Sequence, residues 1–507
     1  MSRRYVEEIL RARVYDVAVE SPLEVARRLS ERLGNQVMLK REDAQQVFSF
    51  KLRGAYNKIY GLSDEAKARG VVAASAGNHA QGVALAGREL GVKATIVMPT
   101  TTPGIKVDTV RRLGGKAVLF GDSYDEANEH ALQLAEERGL SFIHPFDDPK
   151  VIAGQGTVGM EILRQHADPI EAVFVPVGGG GLIAGIAAYI KQIRPEIKII
   201  GVEPKDAPTL HDALAAGRRV RLKSVGLFAD GVAVRQIGKE TFAVARDFVD
   251  EVVLVNTDQI CAAIKDIYDD TRSVAEPAGA LAVAGIKQYL ADNPMDSKTL
   301  VAILSGANIN FDRLRHVAER AEVGEQREAL LAVEIPEKPG AFLRFCRLLG
   351  KRSITEFNYR YADDMSAQVF CGVELRGGGQ ERQELIEHLR SKGYSIVDMT
   401  DNETAKLHVR YMVGGHAANA VDERLYRFEF PERPGALLDF LSGLSRGWNI
   451  SLFHYRNHGS AYGRVLVGIQ LAAKAHREFD EFMKDLGYTY VEETDNPAYR
   501  LFASGGS

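Results

Sequence analysis

The first 320 residues alternate short apolar segments with stretches of helical spacing, and this alternation limits the fold more than any other feature. Such a pattern is typical of βαβ units, whose strands form a parallel sheet covered by helices. We therefore predict an α/β region of two lobes, with the smaller lobe inserted at roughly residues 50–145. Ligands of open α/β sheets bind beyond the carboxyl ends of the strands. The predicted strands are residues 36–40, 71–74, 94–98, 117–120, 141–144, 173–177, 197–202, 251–255 and 300–304.

Composition narrows the class of protein. A net charge of -4 over 507 residues argues against a nucleic acid or an anionic membrane as the main partner. The three cysteines are widely spaced and odd in number, so they form neither a disulfide framework nor a zinc spacing. The N-terminus reaches acidic residues too early for a signal peptide. We expect a cytoplasmic protein without a metal site.

An uncharged run at residues 172–190 is long enough to suggest a membrane span. However, it contains Pro176 and four consecutive glycines at its centre. A buried strand, a glycine loop and a buried helix explain the run better, so we predict no membrane segment.

The chain after residue 329 repeats itself. Residues 330–343 match residues 425–438 at an offset of 95, and residues 354–360 match residues 450–456 at an offset of 96. Each copy has the pattern strand, Pro-Gly turn, helix, strand, strand, helix, strand. We predict a linker at 321–329 and two α+β modules, at 330–410 and 424–502. Two copies do not make a solenoid, so a face-to-face pair is expected.

Lys51 lies in the segment SFKLRGA, residues 49–55, where a strand-like run gives way to a helix. Most lysines are solvated surface charges, and this segment alone does not decide otherwise. A neutral lysine amine is nevertheless the side-chain group that can hold an aldehyde cofactor as a Schiff base. Lys51 is therefore a candidate catalytic residue whose role depends on the motifs around it.

A glycine loop follows the predicted strand 173–177 and opens a helix. Its backbone N–H groups and the helix N-terminus together suit a phosphate. The loop lacks the Lys-Ser/Thr of a P-loop and the spacing of a dinucleotide site. A purely structural turn is the alternative, although four glycines carry a large cost in backbone entropy. The loop consists of Gly178, Gly179, Gly180, Gly181 and Leu182.

Two further motifs follow predicted strands. One opens a helix whose N-terminus can hold a carboxylate, while its asparagine can hydrogen-bond a phenolic oxygen; simple helix capping is the alternative. The other, beginning at Ser305, offers a neutral hydroxyl to a ring nitrogen, although such a motif alone is more often a turn. The first motif is Ser75, Ala76, Gly77, Asn78 and His79; the second is Ser305, Gly306, Ala307 and Asn308.

Strand ends that carry a lysine, a carboxylate nest, a phosphate loop and a hydroxyl meet the needs of pyridoxal 5'-phosphate. In this order the motifs resemble those of the fold type II pyridoxal-phosphate enzymes, the tryptophan-synthase-β-like group. Within that group the chain is similar to the biosynthetic threonine dehydratases (threonine ammonia-lyases). The resemblance covers essentially the whole chain, including a duplicated tail similar to ACT-like regulatory domains.

The resemblance implies a role for each motif. Lys51 would hold the cofactor and remove the α-proton, and Asn78 would bind its ring hydroxyl. Residues 178–182 would bind its phosphate, Ser305 would face its ring nitrogen, and residues 75–79 would hold the substrate carboxylate. Ala76 stands where related racemases place a serine, which favours L-specific elimination over racemisation.

The resemblance also implies a reaction and its control. L-Threonine would be deaminated to 2-oxobutanoate and ammonia, the first step of isoleucine biosynthesis, with L-serine as a second substrate. Isoleucine would inhibit and valine would oppose it through the tail of a homotetramer. Tyr359 and Tyr455 recur in both copies and are candidate effector-binding residues. Packing between strands is the alternative for both.

Two other functions stay open at this stage. A β-replacement synthase on the same fold would use a second nucleophile in place of water elimination. An amino-acid-binding regulator would keep the first 320 residues as a dead enzyme, although the intact Lys51 and glycine loop argue against this.

Overall fold

The computed structural model describes residues 2–311, 313–336, 338, 340–360, 366–402, 405–406, 410, 420, 422–431, 436–444, 448–456, 462–472, 475–486 and 488–496. The chain divides into two compact units, Met1–Gly324 and Glu325–Ser507. Each unit has its own sheets and its own hydrophobic core, and each is described separately below.

The larger lobe of the first unit is built on a sheet of six described strands in the order β1-β2-β10-β7-β8-β9. Only β1 runs antiparallel to its neighbour; the other described pairs are parallel. Helices cover both faces of the sheet, as the buried, uninterrupted apolar strands require. The strands are β1 Leu23–Val25, β2 Gln36–Arg41, β7 Ala172–Pro176, β8 Lys198–Pro204, β9 Glu251–Val255 and β10 Thr299–Leu304.

The smaller lobe contains a parallel sheet of four described strands in the order β5-β4-β3-β6. Its strands lie between residues 71 and 142, within the range 50–145 predicted for an inserted lobe. They are β3 Val71–Ala74, β4 Ala94–Met98, β5 Lys116–Leu119 and β6 Ser141–Phe142.

Helices alternate with these strands as the apolar spacing predicts. The described helices of the first unit are α1 Ser2–Leu10, α2 Arg27–Leu33, α3 Lys51–Tyr60, α4 Asp64–Arg69, α5 Asn78–Leu90, α6 Gly104–Arg112, α7 Tyr124–Arg138, α8 Pro149–Gln165, α9 Gly181–Ile193, α10 Thr209–Ala215, α11 Lys239–Phe248, α12 Thr257–Thr271, α13 Pro277–Asp292 and α14 Arg313–Gly324. Short 3-10 helices occur at Glu42–Ala44 and Asp230–Val232.

Hydrogen bonds between side chains and nearby backbone groups determine where some helices and strands begin or end. Ser123 caps α7 with a capping box, because its hydroxyl accepts the N–H of Glu126 and the Glu126 carboxylate accepts the N–H of Ser123. The last strand of the smaller lobe ends at Phe142, two residues earlier than predicted. The reason is a turn in which Nδ1 of His144 accepts the backbone N–H groups of Phe146 and Asp147.

Glycines let two helices, α5 and α8, approach α3 closely. A Cβ at Gly82 on α5 would lie 3.0 Å from the backbone nitrogen of Leu52. A Cβ at Gly154 on α8 would lie 2.7 Å from the carbonyl oxygen of Arg53. Both positions therefore need glycine, and the first turn of α3 is fixed between α5 and α8.

A group of four fully buried charges also holds the first turn of α3. The guanidinium of Arg53 donates to both carboxylate oxygens of Glu42, each at 2.8 Å, and to both of Glu161, at 2.5 and 3.0 Å. Nζ of Lys40 lies 2.7 Å from Glu161. Two positive and two negative charges balance, so each buried charge has a hydrogen-bonded partner.

The second unit contains a continuous antiparallel sheet of eight described strands in the order β14-β11-β13-β12-β16-β17-β15-β18. Each copy of the repeat supplies four strands and two described helices, in the predicted order. The first copy comprises β11 Glu328–Pro336, α15 Ala341–Leu349, β12 Ile354–Arg360, β13 Ser366–Glu374, α16 Gly378–Ser391 and β14 Ser395–Asp398. The second comprises β15 Glu423–Pro431, α17 Ala436–Leu444, β16 Asn449–Arg456, β17 Tyr462–Gln470, α18 His476–Leu486 and β18 Thr489–Glu492.

The two copies meet edge to edge, whereas the sequence suggested a face-to-face pair. Strands β12 and β16 pair antiparallel, with Phe357 opposite Tyr455 and Tyr359 opposite Phe453. The predicted Pro-Gly turns include Pro339, Pro434 and Gly435, which lie outside the described residues. The segment expected as a linker, 321–329, is mostly regular structure: α14 reaches Gly324 and β11 begins at Glu328.

Across the described residues, no helix is long and apolar enough to cross a membrane. The uncharged run at 172–190 is divided between β7, the glycine loop and α9.

Candidate active site

Lys51 and Ser305 are brought together by backbone pairing. The backbone N–H of Phe50 donates to the carbonyl of Ser305 at 3.3 Å, and that of Ala307 donates to the carbonyl of Phe48 at 2.9 Å. This pairing joins the turn before α3 to the carboxyl end of β10. It places the lysine at the start of α3 beside the serine, as the sequence predicts for a cofactor site.

The environment of Lys51 favours its neutral amine. Burial lowers the pKa of Lys51 to about 8, and the nearby Glu276 carboxylate opposes part of this effect. The amine lies over the ring of Phe50, with Nζ 5.4 Å from the ring centre. A substantial fraction of the amine is therefore unprotonated, and nucleophilic, close to neutral pH.

Asn78 belongs to a hydrogen-bonded chain of side chains. Its Nδ2 donates to Oε1 of Glu276 at 2.6 Å, and its Oδ1 accepts from Nδ2 of Asn308 at 2.7 Å. Asn78 is the first residue of α5 and uses its side chain in this way, while the residue before the helix, Gly77, provides no side-chain cap. Helix capping by Asn78 is therefore not what the structure shows.

Two threonine hydroxyls bind carbonyl groups of the glycine loop. The carbonyl of Gly178 accepts from the hydroxyl of Thr209 at 2.9 Å, and the carbonyl of Gly179 accepts from Thr241 at 2.7 Å. In a trans peptide the following N–H points the opposite way. The N–H of Gly179 therefore points away from Thr209 and the N–H of Gly180 away from Thr241, just before the N-terminus of α9.

Close packing leaves no room for a side chain at Gly178 or Gly179. A Cβ at Gly179 would lie 2.1 Å from the ring of Phe146, and a Cβ at Gly178 would lie 2.8 Å from the backbone of Val232. Gly180 has a φ of 88°, which favours glycine. The loop is thus a shaped cradle rather than an incidental turn.

The Asp230–Val232 turn connects the glycine loop to Asn78. Val232 packs on Gly178, while a Cβ at the neighbouring Gly231 would lie 3.4 Å from Oε1 of Glu276. The predicted glycine loop, Asn78 and the Lys51–Ser305 pair therefore lie around one region of the first unit.

The motif from Ser75 to His79 follows β3 and opens α5. The hydroxyl of Ser75 accepts the N–H of Gly77 at 3.2 Å, and Ala76 contributes no polar side chain. Nε2 of the buried His79 lies 2.8 Å from the carbonyl of Ile143, so this nitrogen carries the proton. Burial and the nearby Lys51 lower the pKa of His79 to about 3, so the imidazole is neutral.

Ser305 is buried, and its hydroxyl lies 3.4 Å from the carbonyl of Ala278. Ser49, paired with Gly306, is also buried, and its hydroxyl has no partner within the described residues. Both are neutral groups beside Lys51. Neither adds a charge to the site.

Glu203 is a buried carboxyl behind the glycine loop. It accepts the backbone N–H groups of Leu210 and His211, at 2.8 and 2.9 Å, and its Oε1 lies 2.8 Å from the Thr209 hydroxyl. Burial still raises the pKa of Glu203 to about 7. The backbone donors occupy this carboxyl. In the described part of the chain, no group of three or more His, Cys, Asp or Glu side chains is placed to hold a metal ion.

The two candidate effector tyrosines belong to the hydrophobic core of the second unit. Tyr359 is 3% exposed and packs edge-on against Phe342, with ring centres 4.6 Å apart. Tyr455 is 1% exposed and lies opposite Phe357. Packing, the alternative considered for both residues, is what the structure shows directly.

Sequence reasoning missed three features of this site: Glu276, Phe146 and a role for Asn308. Glu276 did leave a signal, because it is the only charged residue between Arg272 and Lys287. A single acid in a long apolar run is rarely left unpaired in a core. Phe146 left no signal in the sequence, because its contact with the glycine loop depends on the tertiary fold.

The sequence matches the family described as "Pyridoxal-phosphate dependent enzyme" over residues 15–306. It also matches "C-terminal regulatory domain of Threonine dehydratase" over 319–409 and again over 414–503. An L-threonine dehydratase of Burkholderia multivorans, named as biosynthetic, is 59% identical over 506 residues, which cover 99% of this chain and all of the relative. The chain belongs to the threonine dehydratase family.

Other similar proteins include further threonine dehydratases and a serine racemase. The biosynthetic L-threonine dehydratase of Escherichia coli K12 is 55% identical, over 99% of this chain and 97% of its own. The processed threonine deaminase isoform 2 of Solanum lycopersicum is 56% identical, with a TM-score of 0.62, and the match covers 63% of this chain and 93% of that one. Maize serine racemase is 34% identical, with a TM-score of 0.59, over 62% of this chain and 96% of that one.

Membership confirms the predicted class: a pyridoxal-phosphate enzyme of fold type II followed by a duplicated regulatory domain. The protein is a threonine ammonia-lyase of the biosynthetic kind, regulated through its C-terminal domain. The site fits the cofactor, since it offers a lysine whose pKa is lowered to about 8, a glycine loop in which Gly178 and Gly179 have no space for a side chain, and a buried neutral hydroxyl.

Proposed function

We propose that Lys51 both holds pyridoxal 5'-phosphate and removes the α-proton of L-threonine, which loses its β-hydroxyl and its amino group to give 2-oxobutanoate and ammonia. The observation that most directly supports this proposal is the pKa of Lys51, which is lowered to about 8 at a position fixed beside Ser305. A neutral amine can accept the α-proton, whereas an ammonium cannot. When bound, the cofactor supplies the electron sink that stabilises the carbanion.

Three groups would hold the cofactor. The N–H groups of residues 178–182 and the N-terminus of α9 would bind its phosphate. The amide of Asn78 would donate to its ring oxygen, and the hydroxyl of Ser305 would face its ring nitrogen. A serine at this place is neutral, so it leaves the ring nitrogen without a carboxylate partner.

The loop from Ser75 to His79 would hold the substrate carboxylate at the N-terminus of α5. His79 is neutral, so backbone N–H groups supply the attraction there. Because Ala76 has no group that can donate a proton, Lys51 would act from one face of the substrate, which supports elimination from L-threonine and, more slowly, from L-serine.

Production of 2-oxo acid and ammonia from L-threonine tests this function. The wild type should release both without an added thiol, while Lys51→Ala should lose activity by several orders of magnitude and lose the cofactor absorbance that borohydride removes from the wild type. A requirement for a thiol would indicate a β-replacement synthase. Full activity of Lys51→Ala would contradict the assignment.

We also propose that isoleucine inhibits through the second unit and that valine opposes it, with Tyr359 and Tyr455 contributing to the effector pockets. Regulation of this kind needs an effector that binds two states of the protein unequally. The unit boundary offers a test: a chain ending at Gly324 should deaminate L-threonine without responding to isoleucine. Unchanged inhibition of that chain would contradict the proposal.

A homotetramer in the cytoplasm is the expected assembly and compartment. The three cysteines are free and buried, which suits a reducing compartment. Light scattering after size-exclusion chromatography gives the number of subunits, and cell fractionation gives the compartment.

A further inference from the structure

Glu276 is a buried carboxyl at the N-terminus of α13. Burial raises its pKa to about 7, so ionised and neutral forms are both present near neutral pH. Its Oε1 accepts from Nδ2 of Asn78 at 2.6 Å. A carboxyl in such a place needs a structural or functional partner, and Asn78 is the side chain that it contacts.

The orientation of each amide in this chain is fixed by chemistry. Nδ2 of Asn308 lies 2.8 Å from the carbonyl oxygen of Val47, which can only accept. The same Nδ2 lies 2.7 Å from Asn78, so Asn78 must present its Oδ1 there. The Nδ2 of Asn78 therefore faces Glu276, and the carboxyl must accept.

Two glycines leave space for the Glu276 carboxyl. A Cβ at Gly306 would lie 2.6 Å from its Oε1, and a Cβ at Gly231 would lie 3.4 Å away. Both glycines lie in segments already assigned to the site, after β10 and in the Asp230–Val232 turn. The backbone around Glu276 is thus shaped to keep its carboxyl against Asn78.

We infer that Glu276 is a positioning residue, which takes one N–H of the Asn78 amide and directs the second N–H toward the ring oxygen of the cofactor. The inference rests on the cofactor contact proposed above for Asn78. Among the described residues, Asn78 has two side-chain partners, Glu276 and Asn308, which together leave that second N–H for a ligand.

A double-mutant cycle tests whether Glu276 acts through Asn78. The measured quantity is the Kd of pyridoxal phosphate for the apoenzyme at pH 9, where Lys51 is mostly neutral. Glu276→Leu should raise this Kd about tenfold in the wild type and less than about twofold in the Asn78→Ala background. Glu276→Gln keeps an acceptor oxygen and should raise it only about threefold.

Glu203→Gln is the matched control, because Glu203 is equally buried but contacts Thr209 rather than Asn78. Its effect on the Kd should be the same in both backgrounds. Equal effects of Glu276→Leu in the two backgrounds, or no effect, would overturn the inference and leave the cofactor role of Asn78 intact. An unchanged Kd in Asn78→Ala would overturn both.

If Glu276→Leu does not fold, the cycle is run with Glu276→Gln. A threefold effect confined to the wild-type background supports the inference. The same factor in both backgrounds, or no effect in either, contradicts it.

Discussion

The ring of Phe146 fills the space that a side chain at residue 179 would need. A Cβ on Gly179 would lie 2.1 to 2.4 Å from three ring carbons. The ring is held by its own turn, because His144 accepts the N–H of Phe146 and packs edge-on against its ring, with ring centres 4.6 Å apart. The shape of the glycine loop therefore depends on a residue that follows the last strand of the smaller lobe.

Gly179→Ala should raise the Kd for pyridoxal phosphate at least about tenfold, because the loop must shift to avoid the ring. Titration of the apoenzyme by absorbance measures this effect. Gly104→Ala is the control, since nothing lies within 4 Å of a Cβ there. Phe146→Ala in the Gly179→Ala background should recover part of the affinity; if it does not, the clash is not the cause.

Arg53→Met should lower the free energy of unfolding by about 3–5 kcal/mol, because it leaves Glu42 and Glu161 buried with too little positive charge. Urea denaturation of the apoenzyme measures the loss. Arg88→Gln breaks an exposed pair with Glu89 and should cost less than about 0.5 kcal/mol. Equal losses for the two variants would show that the buried charges do not hold α3.

Lys51 should make the stability of the apoenzyme depend on pH. Its pKa is lowered in the folded state, so below pH 8 the fold carries a buried charge that costs up to about 3 kcal/mol. Above pH 8 the unfolded chain still binds the proton that the folded chain has lost, so stability rises with pH.

Lys51→Met lacks this group. Its advantage in stability over the wild type should therefore be largest below pH 8 and shrink as the pH rises beyond it. Chemical denaturation of both apoenzymes between pH 7 and pH 10 gives the difference. A difference independent of pH would contradict the lowered pKa of Lys51.

Tyr359→Phe and Tyr455→Phe should separate effector binding from packing. Each change removes one hydroxyl and keeps the ring, so the core should lose about 1 kcal/mol or less. If the hydroxyls contact effector, the isoleucine concentration for half inhibition should rise about fivefold or more, with unchanged kcat in its absence. Inhibition identical to the wild type in both variants would leave these tyrosines as core residues alone.

The sequence was sufficient for most of the order of elements, although it did not predict the strand Leu23–Val25, and for the positions of the motifs after strands, because both depend on local patterns. The strands Val71–Ala74, Ala94–Met98 and Glu251–Val255 have the predicted bounds. The end of the strand at Phe142 was not predicted, because the apolar pattern gives no sign of the bonds from His144 to the backbone of Phe146 and Asp147.

Contacts between distant segments were beyond sequence reasoning. Nothing local relates Phe146 to Gly179, or Glu276 to Asn78, since each pair meets only after the sheets have formed. The joining of the two copies was also mispredicted. Apolar alternation defines which face of a strand is buried, but it does not say which edge will pair.

Because β12 pairs with β16, each copy of the repeat protects an edge strand of the other copy. A chain cut between residues 398 and 423 would keep the first copy and expose β12, with a row of unpaired backbone groups that invites aggregation. A chain ending at Gly324 would expose no strand of this sheet. A chain that keeps only the first copy should therefore aggregate more readily than a chain that lacks the whole second unit.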